Sequence, residues 1–234
     1  MLRIKVLGVA LLAGVLSSSA FASANAVKAA LEKKLGGAQI VSVTPTPFLG
    51  LYEVYTGDRL MYTDAKVTVL LNGDLIDLKA MQNVSEARMS TLSAVSFSSL
   101  PLDQAFKQVR GNGKRVLAVF EDPNCGYCKR LAKDLVKLDN VTIYTFLVPM
   151  LGPDSLKKSQ QIWCAANPAK TWADWMIEAK APAGATDCDT SVLQKNAALA
   201  EKLRINGTPT LIFANGDRIP GAVPLDKIEQ KLGK

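Results

Sequence analysis

Cys125 and Cys128 are separated by two residues in the stretch EDPNCGYCKRLAKDL, residues 121–135. Two thiols this close can hold a metal, form a permanent crosslink, or open and close as a dithiol. A zinc site needs four ligands, usually two close pairs or a Cys/His set. The remaining cysteines, Cys164 and Cys188, lie far downstream and apart, and the chain contains no histidine. The same lack removes Ser-His and Cys-His catalysis and His-ligated haem. No metal site is expected. A permanent Cys125–Cys128 bond closes so small a ring that it adds little stability, because the entropic gain grows with loop length. A cycling dithiol fits best.

The surrounding pattern says how the two sulfurs are placed. Cys128, Leu131, Leu135 and Leu138 follow at helical spacing and trace one apolar stripe. Cys128 is therefore expected to face inward, with Cys125 presented one turn earlier, at the mouth of the helix. Asp122-Pro123-Asn124 supplies the turn before it, Gly126 leaves room for a second chain, and Tyr127 fills the remaining position. Only a thiolate attacks a disulfide. A helix N-terminus favours an anion at that place by about 0.3–1 kcal/mol.

The other two cysteines read differently. A Cys164–Cys188 bridge would close a loop of about 25 residues, which the chain-entropy model credits with roughly 3 kcal/mol. Neither has a second cysteine nearby to resolve a mixed disulfide, so a structural staple is favoured over a second redox centre.

An oxidising compartment is implied by the start of the chain. Arg3 and Lys5 precede the apolar run Val6–Leu16, and SSSAFASANA then offers small-residue sites. This is the pattern of a secretory signal peptide over residues 1–24, with cleavage after Ala22 or Ala24. The run is shorter than the ~20 apolar residues that span a bilayer, so no stable membrane anchor is expected. The formal charge of +7 drops by two with the leader, and the remaining Lys and Arg are scattered among acids. A nucleic-acid reader clusters them with aromatics on one face, so no nucleic-acid partner is expected.

Three further segments follow. Residues 25–83 open with an amphipathic helix stopped at Gly36-Gly37, then run β-branched and aromatic, with a hairpin turn expected at Asn72-Gly73-Asp74. Such a small unit has little core of its own, and pairing with a second copy through an edge strand would supply more. Residues 84–110 are serine-rich and helical in spacing on either side of Pro101, which predicts an interrupted linker helix. Residues 111–234 begin with the apolar run RVLAVFED, a strand buried on both faces. A β-α-β unit, several helices and a final β-β-α unit predict an α/β sandwich on a mixed sheet.

With a strand, CGYC, a helix and a late GTPT before another strand, the C-terminal half resembles the thioredoxin fold. The full length, with IWCA and NGTPT beside CGYC, resembles the DsbC/DsbG family of periplasmic thiol:disulfide interchange proteins. That resemblance implies a thioredoxin-like catalytic domain joined by a linker helix to a small α+β, cystatin-like dimerisation domain. It implies Cys125 as attacking and Cys128 as resolving cysteine, Pro209 as a cis-proline preceded by Thr208, and Cys164–Cys188 as a structural disulfide. It further implies a homodimer with a cleft for misfolded disulfide-containing exported proteins, a DsbD-like membrane reductase as electron donor, and no cofactor. Gly126-Tyr127, in place of the Pro-His of DsbA, argues against a dedicated oxidant. The alternatives are a DsbG-like chaperone that reduces oxidised cysteines, and a non-enzymatic binder of unfolded chains. Thioredoxin carries a buried acid six residues before its first active cysteine. That place is Val119 here, with Glu121 and Asp122 close in sequence.

Overall fold

A computed structural model describes residues 23–233. Of the signal peptide expected over residues 1–24, residues 1–22 lie outside the described residues. The chain divides into two compact units. One comprises residues up to Val54 together with Tyr62–Leu71, and the other Tyr55–Met61 with everything from Asn72 onward.

The first segment opens with helix α1, Ala24–Lys34, capped by the Ser23 side chain, which accepts from the Ala26 N–H. Val27 and Leu31, one turn apart, are its buried residues. Four strands then form a sheet in sequence order: β1 (Ser42–Pro45), β2 (Tyr52–Tyr55), β3 (Leu60–Thr63) and β4 (Leu70–Leu71). The hairpin expected at Asn72-Gly73-Asp74 does not form. β4 pairs back onto β3, while β5 (Ile76–Asp77) pairs antiparallel with β6 (Gln82–Asn83). Downstream, the Asp77 carboxylate accepts from the N–H groups of Lys79 and Ala80 and closes the turn that joins β5 to β6.

The expected linker helix over 84–110 is also shorter than its sequence spacing implies. Helix α2 covers only Val84–Leu92, capped by Asn83. Two 3-10 turns flank Pro101, and Phe106–Arg110 is strand β7. Ala105, Phe106 and Val109 fit a helical period, but the same residues alternate as a strand, with Phe106 buried and Val109 exposed. The turn after β7 needs glycine. Gly113 has φ +65, and a Cβ there would come within 2.8 Å of Thr142 Oγ1. The catalytic sheet therefore starts at Phe106, not after residue 110.

That sheet has five strands in the order β11-β10-β8-β9-β7. Strand β8 (Arg115–Glu121) lies at its centre, parallel to β9 (Val141–Leu147) and antiparallel to β10 (Thr210–Phe213). β11 (Arg218–Pro220) and β7 are antiparallel edges. Leu117 and Val119 point to one face, beneath helix α3 (Gly126–Leu135) and α7 (Leu225–Leu232). Ala118 and Phe120 point to the other and pack with Ala200 of α6 (Ser191–Lys202). With both faces covered, the run RVLAVFE is nearly all apolar.

Helices α4 (Pro153–Trp163) and α5 (Pro168–Glu178) fill the insertion between β9 and α6. Cys164 ends α4 and is bonded to Cys188, with Cα atoms 5.6 Å apart. A Cys164→Ala/Cys188→Ala variant should fold to the same secondary structure but lose about 2–4 kcal/mol, seen as a lower urea midpoint. An unchanged midpoint would count against a structural role for this bond.

Candidate active site at the mouth of helix α3

The strand-to-helix junction after β8 is fixed by a buried carboxylate. Asp122 is wholly inaccessible. It accepts from the N–H of Asn124 at 2.7 Å, from those of Met150 and Leu151 at 2.7 and 2.9 Å, and from the Ser155 hydroxyl at 2.7 Å. Pro123 is held from outside, because Trp175 Nε1 of α5 donates to its carbonyl at 2.6 Å. Asn124 is tied in turn to Asp154. The chain therefore leaves β8 along one path and enters α3 with Cys125 as the N-cap.

Cys125 Sγ accepts from the Cys128 N–H at 3.4 Å and donates to the Thr208 carbonyl at 3.2 Å. The first contact uses one of the amide donors that a helix N-terminus leaves free. The second brings in a segment 83 residues distant, where the Thr208–Pro209 peptide is cis. Pro209's carbonyl accepts from Gly221 N–H, and the Thr210 hydroxyl donates to the Gly207 carbonyl. Cys125, Gly126, Tyr127, Cys128, Thr208 and Pro209 thus form one constellation. The Cys164–Cys188 bond is separate from it, at the end of α4.

The two sulfurs are less unequal in exposure than their spacing implied. Cys125 is 6% exposed and Cys128 is 0% exposed, and both are free thiols. The Thr208 loop covers Cys125, which the linear pattern of α3 could not reveal. Exposure instead falls on Tyr127, at 60%. A Cβ added at Gly126 would meet nothing, so this face of the helix mouth is open. Arg130 stands 5.1 Å from the Tyr127 ring, and Lys129 lies 3.8 Å from the Trp175 centroid.

Behind the thiols the electrostatics reverse. Burial, with negative charge at Glu121 and Cys125 adding to it, pushes the Cys128 thiol far above the ordinary cysteine range. Glu121 is itself buried, and its carboxyl is pushed up to about 8, by burial first and the Cys125 charge second. A bond with Thr145 works the other way. Sequence reasoning singled out neither Trp175 nor the buried state of Glu121. A strand's last residue facing inward was the signal, since Leu117, Val119 and Glu121 alternate onto one face.

Comparison with known proteins agrees with this geometry. Residues 102–234 match the family described as thioredoxin-like domain, and residues 18–86 match the disulfide bond isomerase protein N-terminal domain. A probable thiol:disulfide interchange protein DsbC of Bordetella parapertussis is 48% identical, over 89% of this chain and 74% of that protein. The thiol:disulfide interchange protein DsbC of Escherichia coli K12 is 27% identical over 92% and 90%. Among solved structures, a disulfide interchange protein from Neisseria gonorrhoeae superposes with a TM-score of 0.54. It shares 43% identity and covers 57% of this chain and 96% of that one. The site and sheet are those of a thioredoxin-like thiol-disulfide oxidoreductase. The chain belongs to the DsbC family of thiol:disulfide interchange proteins.

Two outcomes follow from the buried acids. Asp122→Ala leaves three backbone N–H groups and a hydroxyl without their acceptor, and should cost about 3–5 kcal/mol in urea unfolding. Glu121 holds a proton in the folded state that the unfolded chain releases above its ordinary value of 4.5. Its contribution to stability is thus full below pH 4.5 and declines up to about pH 8. The decline approaches about tenfold in the folding equilibrium per pH unit. Glu121→Gln should flatten that decline, and a wild-type slope retained in the variant would place its origin elsewhere.

Proposed function

We propose that the protein isomerises incorrect disulfides in exported proteins through Cys125 and Cys128. The observation that carries this reading is the pairing of an N-cap sulfur, bonded to an amide and to the cis-proline loop, with a wholly buried partner thiol. In the first step the Cys125 thiolate attacks one sulfur of a substrate disulfide. A mixed disulfide forms, and the other substrate sulfur leaves as a thiolate. That thiolate attacks a different cystine of the same chain and forms a new substrate disulfide. The substrate thiolate this frees attacks the substrate sulfur of the mixed disulfide, bonds to it and expels Cys125 as a thiolate. Where rearrangement stalls, Cys128 attacks Cys125 Sγ, closes the enzyme disulfide and releases the substrate thiol. The oxidised enzyme then requires a dithiol donor, in this reading a membrane reductase of the DsbD kind. An extended substrate segment can lie along Thr208–Pro209, because proline has no N–H to spend on a neighbouring strand.

The assembly in this reading is a homodimer joined through the N-terminal segment. Supporting it, edge strand β4 exposes Leu70 and Leu71 beside Val69, and Ile76, Leu78 and Met81 are also exposed. Apolar side chains on an unpaired edge are a template for a second strand. The compartment in this reading is the periplasm, with the leader cut after Ala22. That cut keeps Ser23, whose hydroxyl caps α1, whereas a cut after Ala24 removes it. No helix among the described residues is long and apolar enough to cross a membrane.

The test is recovery of activity by scrambled ribonuclease in a fixed glutathione buffer. Wild type should restore activity, Cys125→Ser should fall to the uncatalysed rate, and Cys128→Ser should keep part of the isomerase activity while losing reduction. Equal rescue by all three would overturn the covalent mechanism and leave a binding protein. Sedimentation should give a dimer for residues 23–234 and a monomer for a chain starting at residue 85.

A further inference from the structure

Thr208 touches the reacting sulfur through its carbonyl, and it also lines a pocket of about 220 Å³ that lies wholly within the second compact unit. One water needs about 10–15 Å³ of such space, so the pocket takes a whole side chain with water around it. Arg204, Arg218, Met89 and the Gly57-Asp58 turn form much of the lining. Gly207 and Gly221, beside the cis-proline, belong to it too. A Cβ added at either would meet nothing, so the space there is open.

Charge in this lining is unbalanced, with two guanidinium groups against one carboxylate. Arg218 is partly buried, and its Nη1 and Nη2 donate to the carbonyls of Leu203 and Arg204 at 2.7 Å each. Arg204 itself has φ +53, and its side chain lies across Gly57. A Cβ at residue 57 would come within 2.7 Å of Arg204 Nη1 and 2.8 Å of its Cδ, so glycine there, at φ +101, leaves room for it. The turn is fixed by the Tyr55 hydroxyl, which donates to the Gly57 carbonyl at 2.8 Å. Asp58 is engaged elsewhere: its carboxylate accepts from the Thr56 hydroxyl at 2.8 Å and lies 3.9 Å from Arg59 Nε. Among the described residues neither Arg204 nor Arg218 forms an ion pair, and the Arg204 side chain has no acceptor. Burial weighs against the charge on Arg218, and an incoming carboxylate would offset that cost.

We propose that this pocket is a substrate subsite for an acidic side chain, an Asp or Glu two residues from the cysteine under attack, held by Arg204 with Arg218 beside it. The inference rests on the exchange reading given above. A substrate bonded to Cys125 meets Thr208 first, because that residue belongs to both places. In an extended chain, residues two apart point to the same side and stand about 7 Å from each other. The second residue from the substrate cysteine is therefore the one that reaches the pocket. A guanidinium fork matches a carboxylate in shape as well as charge, and the same pair repels a lysine. Arg204 sets a preference among substrates and takes no part in the thiol chemistry.

The test measures the first attack on short peptides by the reduced mature protein. The peptides share one sequence and carry Glu, Gln or Lys at the second position before and the second position after a single cysteine. That cysteine is joined to thionitrobenzoate as a mixed disulfide. Attack by Cys125 forms its bond to the peptide sulfur and releases thionitrobenzoate, whose absorbance gives the rate. Each rate is divided by that of mercaptoethanol with the same peptide, which removes the peptide's own reactivity. In wild type the Glu peptide should react about tenfold faster than the Lys peptide, as an ion pair gives way to like charges, and added salt should shrink the ratio. Arg204→Glu should reverse the order, and Arg204→Lys should keep it. The ratio is read within one protein, so a site slowed as a whole leaves it unchanged. Lys227→Glu alters an exposed cation of α7 outside the pocket by the same charge and should retain the wild-type ratio. A ratio near one in wild type, or an unreversed order in Arg204→Glu, overturns the subsite. An equal shift in Lys227→Glu and Arg204→Glu assigns the preference to the overall field and overturns it as well. Release of no thionitrobenzoate from any peptide would instead sink the exchange reading.

Discussion

Four hydrogen bonds to one buried carboxylate hold this active site in place. Asp122 stands where the central strand ends, and its two oxygens gather the turn before Cys125, the loop after β9 and the start of α4. A charged acceptor with this many donors is stronger than a neutral one and tolerates little displacement. Because the turn is fixed, α3 starts at one residue and no other, and the N-cap is a cysteine. A start one residue later would carry the buried stripe around the helix by about 100° and turn Cys128 away from the core. The thiol chemistry is therefore set by a residue that performs none of it.

Much of this was legible in the sequence, and particular residues show why. The stripe of Cys128, Leu131 and Leu135 reports helix and inward face together, since apolar spacing at this period has no other good solution. The continuous apolar run of β8 reports a strand covered on both sides, and it is. The family resemblance added the cis-proline loop, which no local pattern around Cys125 contains. Where the reading failed, two periods were compatible with one string. Ala105, Phe106 and Val109 suit a helix, yet β7 forms because β9 offers an unpaired edge, and an edge bond is a tertiary event. The hairpin falls not at Asn72-Gly73 but between β5 and β6, where Asp77 accepts from the Lys79 and Ala80 amides. The Trp175 bond to Pro123 spans 52 residues and left no local trace.

The two halves of the dithiol live in opposite surroundings although one helical turn joins them. Cys125 lies at the helix start, where its sulfur accepts from one amide and donates to the Thr208 carbonyl. Cys128 has apolar walls and a carboxyl behind it, which suit a thiol. Sequence sets this contrast with little material: one turn motif, one helix start and one acid at the end of a strand. A symmetric pair of thiols would compete for the same incoming disulfide. In the proposed exchange the order of attack would follow from placement.

That asymmetry also bears on the choice between rearranging a substrate and merely reducing it. A mixed disulfide has two exits, one through a substrate thiol and one through Cys128. Rearrangement wins only if the second exit is slower than the search made by the substrate's own sulfurs. Burial of Cys128 supplies the delay, because an attacking thiolate must first be made in a place that disfavours charge. An exit closed altogether would trap every stalled substrate on the enzyme. Retention of the substrate and its eventual release would then both be governed, in the proposed exchange, by how deeply Cys128 is buried.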